Sequence, residues 1–185
     1  MLRWPTISSV FMRSLRQTLY VAFLSLLLPW QAQANSDKKG PSKAEKRIFE
    51  LLNLERKDAG LKPLEWNQNA AVAARAHAKL LADNREMSHQ FPGEPDLRER
   101  LTATTVRFTS AGENVAKADD PDEVHLALMG SPGHRANILG ADYTAVGIGV
   151  VERDARLYVA QDFVRLVSVY SELQFLQAFT VSFNR

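Results

Sequence analysis

Between residues 42 and 81 the apolar positions recur at helical spacing. Ile48, Leu51 and Leu52, with Glu55 next in the pattern, put the apolar members on one face of a helix. Ser42-Lys43-Ala44-Glu45 ahead of them is a capping box, whose hydroxyl and carboxylate can satisfy the first free backbone N–H groups. Gly60 is placed to end this helix in a left-handed conformation. Leu61, Pro63 and Leu64 read as a loop packed over Trp66. Asn67 predicts the cap of a second helix through Ala71, Ala74, Ala78 and Leu81, whose alanines favour helix and let a neighbour approach closely. From Asp83 to Arg107 the pattern is loop-like, broken by Pro92-Gly93 and Pro95, with a short helix from Pro95 to Leu101. Val106, Phe108 and Val115 predict an extended segment leading into and out of Gly112-Glu113, and Pro121 opens a further helix carrying Val124, Leu126 and Leu128. Two strands follow, Thr144–Val151 and Arg156–Val164, with a hairpin turn across Glu152-Arg153-Asp154-Ala155. Helices early and strands late predict an α+β fold, a sheet covered by helices rather than a wound parallel one.

The two ends depart from this pattern. Residues 1–34 have a basic start ending at Arg13 and Arg16, a short apolar run from Leu19 to Leu28, a break at Pro29 and the small residues Ala32-Gln33-Ala34. That is the layout of a secretory signal, with cleavage expected after Ala34 and a mature chain beginning at Asn35. The run is shorter than the roughly 20 apolar residues that span a bilayer, so no transmembrane segment is expected in the mature chain. Residues 35–41 read as a flexible lead-in, and the last residues, 166–185, are rich in Val, Leu and Phe without a clean period. They fit an added strand, an added helix or a tail over apolar surface.

The chain of 185 residues has the length of one domain with a single core, and it contains no cysteine. Exported, it would have to be stabilised by that core without disulfides. Its formal charge of +2 comes from the leader, because removing Arg3, Arg13 and Arg16 leaves 20 basic against 21 acidic residues. This removes the electrostatic argument for binding nucleic acid.

Two short segments carry the chemistry, Ala111-Gly112-Glu113-Asn114-Val115 and Ser131-Pro132-Gly133-His134-Arg135-Ala136-Asn137-Ile138-Leu139. Each sets one ionisable side chain among Gly, Pro and Asn, as on a constrained turn. A structural role is open to both: Glu113 could tie backbone N–H groups in a buried bend and His134 could cap a turn. Two imidazoles and a carboxylate could instead hold a tetrahedral divalent ion with one position left for water. Without a metal, Glu113 could fix the tautomer of a histidine in a pH-sensitive pocket. His77 and His125 sit among polar neighbours in helical patterns and read as surface residues, Arg135 and Asn137 as stabilisers of the turn, and Gly147 and Gly149 as sites of close backbone packing. Ser88, Ser110 and Ser131 adjoin these motifs, yet neither a Gly-x-Ser-x-Gly elbow nor a His-Glu-x-x-His helix is present.

The two segments, with Ser88-His89 upstream and Val146-Gly147-Ile148-Gly149-Val150 downstream, resemble the CAP superfamily of cysteine-rich secretory proteins, antigen 5 and pathogenesis-related class one proteins, in its bacterial form without cysteines. Asn53-Leu54-Glu55-Arg56 and Gly60-Leu61-Lys62-Pro63-Leu64-Glu65-Trp66-Asn67 extend the likeness, which covers residues 42–165. It implies an α-β-α sandwich with a central antiparallel sheet flanked by helices, and a cleft lined by two histidines and two acids. His89, Glu113 and His134 fall on three of those positions, with Ser131 and Asn114 as further contributors. The fourth position does not match: the second glutamate falls at Ser131, its aromatic partner at Leu128, and Glu123 lies about two helical turns too early.

The resemblance also implies an exported protein, extracellular or periplasmic and monomeric. Its cleft would bind a small apolar ligand, lipid or sterol-like, or a cell-envelope component. Two alternatives stand beside that expectation. One is a hydrolase or protease dependent on zinc or another divalent cation held by His89, His134 and Glu113. The other is a non-catalytic envelope scaffold. The serine at position 131 favours binding or scaffolding over catalysis.

Overall fold

The computed structural model describes residues 40–167. The expected signal segment and its cleavage site, residues 35–39 of the lead-in and residues 168–185 lie outside the described residues. The elements run α1 (Lys43–Asp58), β1 (Glu65–Trp66), α2 (Gln68–Asn84), α3 (Leu97–Ala103), β2 (Phe108–Ala118), α4 (Pro121–Gly130), α5 (Pro132–Ile138), β3 (Ala145–Arg153) and β4 (Arg156–Leu166).

Local chemistry sets most of these limits. The Ser42 hydroxyl accepts from the Glu45 N–H at 3.2 Å while the Ser42 N–H donates to the Glu45 carboxylate at 2.7 Å, so α1 starts on the expected capping box. Gly60, with φ +72°, turns the chain out of α1. The Asn67 side chain accepts from the Ala70 N–H and starts α2. Helix α3 begins slightly later than the proline pattern predicts, because Asp96 and Glu99 form a second capping box. Arg153 pairs with Arg156, and Asp154 and Ala155 between them both have positive φ, the geometry of a tight hairpin turn.

The sheet order is β1-β3-β4-β2. Strands β2 and β3 each run antiparallel to β4, and the two-residue β1, which the apolar pattern does not reveal, adds parallel to β3. Alternate side chains face opposite layers. One face meets α2, where Ala145, Ala160 and Val164 pack on Ala70, Ala74 and Ala78. The other, with Val146, Ile148 and Phe163, forms the larger core with Ile48, Leu52 and Ile138. Strand and helix backbones touch on the α2 side: a Cβ at Gly147 would lie 2.1 Å from the Ala70 carbonyl carbon, and one at Gly149 2.3 Å from that of Ala74. These glycines serve close approach, and none of the strained turns falls on them.

Three expectations need correction. Gly112-Glu113-Asn114 is no bend; it lies in the middle of the long strand β2, held by ten register pairs to β4. Residues 132–138 are helix α5, with Ser131 at its N-cap and Pro132 in its first turn, where a missing N–H costs nothing. His77 and His125 are buried, because α2 lies flat on the sheet beneath the 88–94 loop and α4 presses His125 toward Glu55 on α1. Among the described residues no helix is long and apolar enough to cross a membrane.

Candidate functional site

Strand β2 is the outer strand of the sheet, and a cavity of about 470 Å3 straddles its edge. Met87, Ser88 and His89 form one wall, Val115–Lys117 the strand side, and Leu128, Ser131 and His134 the wall contributed by α4 and α5. The structure thus brings His89 of the 88–94 loop to one hollow with Ser131 and His134, which both belong to the start of α5. Glu113 does not line it. Its side chain points to the α2 face, is buried, and accepts from His89 Nδ1 at 2.9 Å. The His89 side chain is 62% exposed, so that bond, rather than packing, holds its ring.

Asn114, the neighbour on the opposite face of β2, is fully buried. It donates to the His134 carbonyl and to the Gln161 side chain, both at 3.1 Å. Asn137 on α5 donates to the Glu113 carbonyl at 3.2 Å and to the Asn114 side-chain oxygen at 2.8 Å. The Gly-Glu-Asn run therefore acts on both faces of its strand, one side chain gripping His89 and the next anchoring the helix that bears His134.

Behind Glu113 lies a charged cluster that the motifs do not reveal. The Arg100 guanidinium bonds the Glu113 carboxylate, lies 3.4 Å from that of Glu94, and donates to the His89 carbonyl at 3.2 Å. His77 faces Glu94 through Nδ1 at 2.7 Å and the Ser88 carbonyl through Nε2 at 2.9 Å. The Ser88 carbonyl can only accept, so Nε2 carries a hydrogen, and Nδ1 shares a proton with the Glu94 side chain. The Glu94 and Glu113 carboxyl groups are thus met by the Arg100 guanidinium and the His77 ring. These partners make the burial tolerable.

Asp162 completes the cluster from β4, directly across from Glu113 in register and fully buried. Neither of its oxygens has a hydrogen-bond donor among the described residues. Burial first, and the Glu113 charge second, push its carboxyl well above the usual carboxylate range, which favours the protonated form. A signal for it exists in the sequence: an acid within the apolar run 157–164 must be buried with its neighbours. A raised pKa means the folded state holds a proton that the unfolded chain releases near pH 4, so stability is lost as pH rises above that value. Asp162→Asn, which keeps the shape without the titration, is expected to flatten the dependence by up to about 1.4 kcal/mol per pH unit. Urea unfolding of both proteins from pH 4 to 8 checks this; parallel profiles would contradict it.

His134 differs in kind. Its pKa is lowered by partial burial and then by the neighbouring His89, so it is neutral at pH 7 and ready to take up a proton. As a metal centre the arrangement is incomplete. Glu113 is engaged by His89 and Arg100, and the described residues contain no group of three or more His, Cys, Asp or Glu placed to hold an ion. The residues present therefore do not fit a His-His-Glu zinc site as folded.

A four-stranded sheet between helices, with paired histidines at an edge-strand cleft, defines the class to which comparisons with known proteins also lead. The model of the CAP, or cysteine-rich secretory protein, family matches residues 49–170, and the chain belongs to that family. It is 36% identical over 124 residues to the uncharacterized Bacillus subtilis (strain 168) protein YkwD, covering 65% of this chain and 48% of that one. It is 35% identical over 142 residues to the uncharacterized membrane protein YlbC of the same strain, covering 76% of this chain and 40% of that protein. The chain thus spans less than half the length of these relatives. Among solved structures, an extracellular SCP-domain protein of Bacillus anthracis superimposes with TM-score 0.62 at 32% identity, over 69% of this chain and 45% of that one.

Proposed function

We propose that the protein is an exported binding module whose edge-strand cavity takes a small ligand with an apolar body and an anionic head. One observation carries the reading: among the described residues His89, His134 and Lys117 line the cavity, no Asp or Glu does, and the rest is largely apolar. An acidic head suits that field, and an apolar body suits Met87, Val115 and Leu128. A fatty-acid-like lipid and the acidic end of an envelope component both offer this chemistry. The signal-like leader and the extracellular Bacillus anthracis relative support export. The metal-dependent hydrolase is the weaker reading, since its third ligand would have to leave Arg100.

Decanoate titrated into the protein by calorimetry tests the reading. Saturable binding is expected, about tenfold weaker in His134→Ala, the loss of one charge-assisted hydrogen bond. Affinity should rise as pH falls from 8 to 6, because the anion recruits a proton to His134; His89 and Lys117 face the same space and Glu113 stands behind His89. No binding at any pH, or affinity rising with pH, would refute it.

A further inference from the structure

We propose that the cavity takes the C-terminal end of an extended peptide, laid antiparallel along the free edge of β2 with its terminal carboxylate between His89 and His134. The inference rests on the binding reading above and names the ligand class.

The backbone directions follow from the hydrogen bonds. Glu65 N–H donates to the Thr144 carbonyl and Asn67 N–H to the Val146 carbonyl, so these carbonyls face β1. Ala145, Gly147 and Gly149 therefore face β4, and their register partners Val164, Asp162 and Ala160 face β3. The alternate β4 residues Gln161 and Val159 bond Asn114 and Ala116 of β2. That leaves the N–H and C=O groups of Val115 and Lys117 pointing away from the sheet, on the stretch that borders the cavity. The Glu113 carbonyl points the same way, and there Asn137 occupies it. At Val115 and Lys117 nothing among the described residues does so.

An apolar tail cannot use such groups, whereas an extended peptide pairs with them as a further strand. Its direction is fixed by charge. The histidines lie at the Glu113 end of the open stretch, since His89 bonds Glu113 and the His134 carbonyl bonds Asn114. A strand antiparallel to β2 brings its own C-terminus to that end. Asn137 blocks the edge beyond, so the peptide stops there, which is where a terminal carboxylate belongs. Its side chains would alternate between the Met87 wall and the Leu128 wall, both of which take apolar residues.

The probe is a pool of N-acetylated tetrapeptides with Ala, Val, Leu or Phe at the last three positions, titrated into the 15N-labelled protein alongside decanoate. Saturable binding is expected, with downfield shifts of the Val115 and Lys117 amides. Amidating the C-terminus, or N-methylating the backbone nitrogens that face β2, should each weaken binding about tenfold or more. His134→Asn should remove the preference for acid over amide. Equal affinity of acid and amide would overturn the carboxylate placement, and equal affinity of the N-methylated pool would overturn strand addition. Decanoate binding without peptide binding would overturn this inference and leave the small-ligand reading standing. Binding of neither would overturn both.

Discussion

Replacing Arg100 by methionine is expected to destabilise the domain by about 3–5 kcal/mol, the range for removing one partner of a buried ion pair. Arg100 is nearly buried and serves Glu113, Glu94 and the carbonyls of His89 and Pro95. Methionine fills much of the volume but leaves the Glu94 and Glu113 carboxyl groups without the guanidinium between them. The fold can respond by protonating one of them or by admitting water, and either loosens the hold of Glu113 on His89. Urea unfolding at pH 7 measures the loss, and a value below about 1 kcal/mol would contradict a role for Arg100 as buried counter-ion. Arg100→Lys keeps the charge but cannot span the same acceptors, so an intermediate loss is expected. A second readout separates structure from site: in the folded fraction of Arg100→Lys, the His89 ring should lose its fixed tautomer in 15N spectra.

Gly147→Ala is expected to be comparably severe, at the upper end of or beyond the about 1–3 kcal/mol typical of an overpacked core. The added Cβ would meet the Ala70 carbonyl carbon and the Ala71 nitrogen, both at 2.1 Å. These are backbone atoms, and no side-chain rotation relieves them. Helix α2 would have to lift from the sheet, disturbing Ala70 and Ala74 and then His77 over Glu113. Gly133→Ala is the matched control, since a Cβ there meets nothing within 4 Å and lies in the first turn of α5. Its stability should stay near that of the wild type, as helix propensity favours alanine. Thermal melts that lowered the two variants equally would contradict the contact argument.

Both predictions depend on residues that differ in how readily sequence reveals them. Gly147 and Gly149 alternate with Val146, Ile148 and Val150, so close packing on a strand was legible. The alanine spacing of α2 likewise shows a helix that lets a neighbour approach closely, but only the fold shows that this neighbour is the glycine strand. Arg100 gave no such sign: it lies in a short polar helix between loops, and only the approach of Glu113 and Glu94 makes it a buried counter-ion. His77 misleads in the same way, since its neighbours in sequence are not its neighbours in space. Glu113 reads in the sequence as a cleft residue on a turn, whereas it lies mid-strand behind the cavity. Gly and Asn beside a charge suggest a bend, whereas here Gly112 makes room for Tyr143 and Asn114 anchors α5.

By itself the sequence determined the elements whose cause is local: the capping box at Ser42, the Gly60 exit, the Asn67 cap, the period of α2 and the hairpin at Asp154. It also determined the class, because the motifs occur in order over most of the domain. Tertiary structure alone decided which of the motif residues face the cavity. His89 and His134 meet there because β2 is the edge strand with loop and helix on either side, and Glu113 stands behind because a strand sends alternate side chains to opposite faces. The physical reason is that spacing along a chain fixes local geometry, while the charge state and exposure of a side chain are set by whatever distant groups the fold brings against it.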